Sequence, residues 1–298
     1  MNIDVARASA FMAAHARLLD RRRFELVIGT GRPQDVLSAL SAYRNEDGGF
    51  GWGLEPDLRS PESQPAGALH AFEVLAETGP EAGAVEMAGR LCDWLAEVSL
   101  PDGGLPFALP LTEPHGSAPW WVSADPAQPS LHLTCAVAEI AHRVARHSPG
   151  VRGHAWLSRA TDHCQDRIRA LTRPAGTLEL RYVLGFLDAI HDVVRGAAAE
   201  LQRLGEFVPA EGVLAVEGGA DGEMLRPLDF SPHPDRPLRR LLAPEVIEAD
   251  LGRLAGRQQD DGGWGVDFAS ATEAGALEWR GYATVAAVKT LLAHQKTP

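Results

Sequence analysis

The chain is short of cysteine and of long apolar runs, and each shortage closes off a class of protein. Three cysteines in 298 residues, Cys92, Cys135 and Cys164, cannot build a disulfide framework. All three fall inside helical patterns, which points to packed, reduced thiols. No apolar stretch approaches the roughly 20 residues that a membrane helix needs, and MNIDVARASA has neither a basic leader nor an apolar centre, so a cytoplasmic protein without membrane insertion is expected. A basic stripe is lacking too. Lysine and arginine number 28 against 40 acidic residues, and the net charge of −12 excludes a phosphate-tracking surface for nucleic acid. The one basic run, Arg21-Arg22-Arg23, lies between Asp20 and Glu25 and reads as a solvated helix end. A nucleotide loop is also missing, because in FELVIGTGRPQ the third glycine position of G-x-G-x-x-G holds Gln34, directly after Pro33.

What the chain has in abundance is glycine, 30 residues, and three of its loops share one phrase: NEDGGFGW, LPDGGLPF and QQDDGGWG. In each, a helical pattern runs into Asp-Gly-Gly, a large apolar residue follows (Phe50, Leu105 or Trp264), and a second helical pattern begins further on. Paired glycines let the chain reverse through positive φ, and the aspartate can accept from free backbone N–H groups beside it. Asp47 and Asp102 stand 55 positions apart, and Asp102 and Asp261 stand 159 apart, three steps of 53. A period of that length suits a two-helix unit with its loops, and the chain holds five to six such units. The missing copies should fall near positions 155 and 208, with VEGGADGE as a degenerate candidate.

Apolar spacing then predicts helices over 5–19, from Pro33 through Tyr43, from Pro65 to a stop at Gly79, and over 84–98, 130–147, 155–171, 178–194, 197–206, from Pro244, and over 275–294. VLAV, ending at Val216, reads as a short strand, and the long segment 101–129 is too proline-rich for regular structure. No linker divides the run, so one all-α domain over 1–298 is expected.

QQDDGGWG resembles the QW motif of the terpenoid cyclases and the Asp-Gly-Gly-aromatic turn of the protein prenyltransferases. DGGFGWGLEPDLRSP is similar to a group of stand-alone prokaryotic proteins described as prenyltransferase-like. The resemblance implies an α/α toroid, a barrel of five to six helical hairpins whose inner helices surround a cavity, and an enzyme that handles a polyisoprenoid or related apolar small molecule there. It covers most of the chain by architecture but only some twenty residues by motif. The catalytic signatures of those families, D-x-D-D and D-D-x-x-D, are absent: Asp260-Asp261 runs into Gly262-Gly263-Trp264.

In such a barrel the loops leading into inner helices form the mouth, and here they are acidic and aromatic. Candidate catalytic groups are Asp125, Glu55 and Asp57, since rim carboxylates can act as acid, base or partner of a cation. Candidate substrate contacts are Trp52, Trp120, Trp121, Gln64, Gln128, His132, Asp229, Phe268 and Trp279, whose faces and amides suit carbocations or sugars. Gln64 and Gln128 share a phrase, SQPAGALHAF against AQPSLHLTCA, and so look equivalent. Two other readings stand beside the isoprenoid one: a carbohydrate-active hydrolase or lyase using a rim carboxylate pair, and a toroid that binds a ligand without catalysis. His132 with Cys135, and Asp162-His163-Cys164, supply zinc-ligand types at unconvincing spacing, so no metal and no cofactor is expected.

Overall fold

A computed structural model describes residues 3–295, and among them the chain is mostly helical. The helices are α1 Val5–His15, α2 Leu18–Val27, α3 Pro33–Leu40, α4 Pro65–Thr78, α5 Ala82–Val98, α6 Pro119–Val122, α7 Leu131–Ala145, α8 Pro149–Arg152, α9 Ala155–Ala170, α10 Thr177–Ile190, α11 Ala197–Gly205, α12 Pro227–Phe230, α13 Pro244–Gly256 and α14 Glu273–Gln295. Two strands, β1 Leu214–Ala215 and β2 Met224–Leu225, form an antiparallel hairpin. The all-α expectation holds. Local chemistry sets many helix starts: proline opens α3, α4, α6, α8, α12 and α13, while the side chains of Asp4 and Ser130 accept from the N–H groups of Arg7 and Leu133. Gly79 ends α4 at φ 71°.

The predicted first helix is two. It stops at His15, and FELV, whose apolar run imitates a strand, lies in α2 instead. The break falls at Ala16 and Arg17, both extended. Arg17 commits its guanidinium to Asp20 and to the carbonyls of Gly53 and Leu54, so a tertiary anchor interrupts the helical pattern. Segment 101–129 contains the turn of helix α6 and a bridge between Pro106 and Pro129. VEGGADGE is no hinge between helices: it forms the tip of the β1–β2 hairpin, with the Val216 N–H bonded to the carbonyl of Glu223, and nothing packs on Gly218. The leader reading extends to Met1 and Asn2, which lie outside the described residues.

The three Asp-Gly-Gly turns match bond for bond. In each the aspartate accepts from the N–H of the second glycine, at 2.8 Å for Asp47, 3.1 Å for Asp102 and 3.1 Å for Asp261. The first glycine takes φ of 91°, 88° and 95°, a region that side chains rarely enter. Each first glycine also presses on the carbonyl of an arginine in a neighbouring helix: Gly48 on Arg90 of α5, Gly103 on Arg159 of α9, Gly262 on Arg7 of α1. Phe50, Leu105 and Trp264 are fully buried behind the turns. The N–H groups of Leu105 and Trp264 donate to threonine hydroxyls at matching places in the helices that come after them, Thr134 of α7 and Thr284 of α14.

Neighbouring helices follow in sequence: α4 packs on α7, α7 on α10, α10 on α12, α12 on α13, α13 on α14, α14 on α2, α2 on α3 and α3 on α4. Apolar packing has its largest cluster among α3, α4, α5, α7 and α9, with others centred on α10 and α11 and on α1, α13 and α14. None of the described helices is long and apolar enough to cross a membrane.

Glycine at 67 allows α4 to touch the first turn, because a Cβ there would overlap the carbonyl of Phe50. Gly67→Ala is expected to lose about 1–3 kcal/mol in chemical denaturation. Gly89→Ala, in α5 with open space around it, should gain a few tenths to about 1 kcal/mol. Equal midpoints for the two variants would contradict a close contact at Gly67.

Candidate functional site

α4 is apolar on nearly every side, and all but three of its fourteen residues are buried. Through it runs one polar stripe, His70, Glu73 and Glu77, at spacings of three and four that align the side chains on one face. Nε2 of His70 lies 2.8 Å from Glu55 and Nδ1 lies 2.9 Å from Glu73. Only a doubly protonated ring can donate to both. Burial opposes that charge, but Glu73 and Glu55 outweigh it and raise the imidazole to about 9. Glu73 in turn, despite burial, is held below the usual carboxylate range by His70. Its second oxygen accepts from the phenol of Tyr282 at 3.0 Å.

Deeper along α4, Glu77 receives a two-pronged bond from Arg23 of α2, at 2.8 and 3.0 Å, and another from Lys289 of α14 at 2.9 Å. Burial works against the Glu77 charge, yet Arg23 and Lys289 bring its pKa down to about 2. Three helices are thus tied by charge at one level. The repeat explains the placement: Thr134 and Thr284 bond back to Ser130 and Arg280, so these align with one another, and Ser130 aligns with Gln64 because both donate to the apolar residue of the preceding turn. Counting nine residues on from Gln64, Ser130 and Arg280 reaches Glu73, Glu139 and Lys289. The position nine residues on is charged in all three repeats.

A second polar group faces this one from α10. The guanidinium of Arg181 lies 4.4 Å from the ring centre of Tyr182, and its Nε donates to the backbone carbonyl of Asp229 at 3.1 Å. Glu139 binds Arg143 at 2.8 Å, and Asp188 binds Arg236 at 2.9 Å. With His233 they surround a cavity of about 40 Å³. Burial pushes the Asp229 carboxyl above its ordinary range. Burial also lowers His233 to about 3, with Arg143 and Lys289 adding to the effect, so its ring is neutral at pH 7.

Several expected site residues gather here, and several do not. Glu55 joins His70. Asp57 is buried and fully occupied, accepting from Ser270 at 2.5 Å, from the Ala271 N–H at 2.9 Å and from the Trp279 indole at 2.7 Å, so it staples two loops. Trp279 packs edge-on against Tyr282, His70 and Phe268. His132 stacks on Tyr182 at 4.6 Å, and Trp121 stacks on Phe107 at 4.4 Å. Asp229 lies at the small cavity. Gln64 is buried and bonds both ways with the Leu109 backbone. Gln128 is exposed and is not its counterpart. That is Ser130, two residues on, because the hydrogen bond to the preceding turn sets the register and the shared phrase does not. Asp125 is exposed and caps its own turn through the Ala127 N–H at 2.9 Å. Trp52 and Trp120 are 59% and 48% exposed, and Trp52 sits at φ 57°, held by a bond from its indole to Asn45.

Cys135 and Cys164 lie against one another in the core, and among the described residues no group of three or more histidine, cysteine, aspartate or glutamate side chains is arranged to hold a metal ion. His70, Glu73, Tyr182, Arg181 and Tyr282, none of them among the residues expected at the site, lie inside helices α4, α10 and α14 and not in the loops before them. The polar stripe on an apolar helix was the available signal. No protein-family model matches the chain, and no curated protein matches it.

His70 gains charge on folding, so its contribution to stability is complete below the unfolded value near 6.5 and fades as pH rises through about 9. His70→Asn is expected to cost on the order of 3 kcal/mol at pH 6, as for breaking a buried ion pair, and much less at pH 10. A denaturation midpoint difference that stays constant between those pH values would refute a charged imidazole.

Proposed function

We propose that the sequential packing of helices is an α/α toroid of the type the repeat resembles, and that its interior serves a polar small molecule. The support for the ring is the third turn, which rests on α1 as the first two rest on α5 and α9. The N-terminal helix stands where the next unit would be. The observation that carries the functional reading is the chemistry of the inner faces. Glu73, Glu139, Lys289, Arg181, Tyr182 and Tyr282 occupy the positions that an apolar chain would need filled with aliphatic groups. Of the expected readings, the carbohydrate-active one fits these residues best.

In that reading Glu73, held below the usual carboxylate range by His70, and Asp229, pushed above it by burial, are the two carboxyl groups proposed to act. Glu55 and His70 act on Glu73 by fixing its position and charge. The aromatic pairs Tyr182–His132 and Phe107–Trp121 are the flat groups from which a sugar-binding wall would be built. The isoprenoid reading keeps one observation of its own: those same faces, with Trp279 and Phe268, could stabilise a carbocation at the mouth.

Incubating the full chain with neutral and acidic oligosaccharides, and separately with polyisoprenyl diphosphates, and following products by mass spectrometry separates the two. Saccharide cleavage is expected, reduced about 10²–10⁴-fold in Asp229→Asn with a thermal midpoint near wild type, and lost in Glu73→Gln together with a lower midpoint, because that change also breaks the pair with His70. Turnover of the isoprenoid alone would transfer the site to the second reading, and retention of a ligand without turnover would leave a binding toroid.

A further inference from the structure

Three arginines reach the small cavity beside α10, and their partners differ. Arg143 is neutralised by Glu139 at 2.8 Å, with Asp188 at 3.9 Å, and Arg236 by Asp188 at 2.9 Å. Arg181 has no carboxylate at ion-pair distance among the described residues. Asp229, the acid beside it, offers its backbone carbonyl, while one carboxylate oxygen is turned to the N–H of Arg226 at 2.8 Å. Beyond that carbonyl, the groups in direct contact with the Arg181 guanidinium are the face and hydroxyl of Tyr182. A guanidinium presents five donors in a planar fork, and inside a fold its charge is costly unless an anion meets it.

The chain provides a way to leave that fork open. Glu139, the other acid that could turn toward Arg181, is instead committed to Arg143, and it leans into the space left by the missing side chain of Gly185. The neutral ring of His233 lines the same cavity without adding a competing charge. Against its burial, Tyr182, Asp229 and Glu139 favour the Arg181 charge, but none of them takes up its fork as an ion pair.

We infer that Arg181 is the receptor for a compact anionic group on the ligand, a carboxylate or a phosphate, seated in the cavity bounded by Arg181, Glu139, Asp229 and His233. This rests on the reading of the interior as a polar-ligand site and narrows it to acidic ligands. The fork matches either anion with two parallel N–H bonds.

Isothermal titration of the full-length protein with glucuronate, glucose and inorganic phosphate tests the assignment, using wild type, Arg181→Gln and Arg181→Lys. Glucuronate is expected to bind more tightly than glucose and to lose about 10–100-fold in affinity in Arg181→Gln. Arg181→Lys, which keeps the charge but not the fork, should fall between them and guards against a folding defect in the glutamine variant. Phosphate binding that depends on Arg181, without glucuronate binding, upholds the anion site and identifies phosphate as its source. Glucose bound as well as glucuronate in all three proteins would overturn the inference while leaving the polar-interior reading intact, and no binding of any of the three would overturn both.

Discussion

The contact of a glycine with a helix carbonyl sets the architecture. At Gly48, Gly103 and Gly262 the chain turns through positive φ and lays its backbone against the backbone of another helix, closer than any side chain would allow. The aspartate before it ties down the turn by bonding to the second glycine, and the apolar residue after it closes the seam. With those three corners fixed, the helices that leave them have little freedom in direction. The stripe on α4 meets α14 and α2 because the first and third corners aim those helices at one another.

Charge inside such a frame is destabilising on its own, and the fold pairs most of its inner polar groups with one another. Glu77 pairs with Arg23 and Lys289 across three helices, and His70 pairs with Glu55 and Glu73 across a loop and a helix. A buried pair of this kind adds little net stability over a well-packed apolar replacement, but breaking one half is costly. Such groups therefore fix register: only one rotation of α4 gives both Glu73 and Glu77 their partners. Arg181 departs from this pattern, having no carboxylate at ion-pair distance among the described residues.

Parts of this were legible in the sequence. The turns, their apolar plugs and the helices that flank them follow from local rules, since glycine, proline and apolar period act over a few residues. Glu55 was legible because acid in a loop before a helix is conspicuous. The split between α1 and α2 was not, because Arg17 leaves the helix to reach Gly53 and Leu54, far along the chain. His70 and Glu73 were hidden for a related reason: polar residues within an apolar helix look like its solvent face until the neighbouring helices are in place. Asp57 carried the same appearance as Glu55, yet three donors from the 270–279 region make it a staple.

The sequence by itself determined an all-α chain with repeated glycine corners, because those features depend on backbone geometry and periodicity that each segment carries alone. Tertiary structure decided which carboxylates are already paired and which face a common space. That choice depends on partners brought from distant positions, such as Tyr282 to Glu73 and Asp229 to Arg181, and on the removal of water that gives their charges weight.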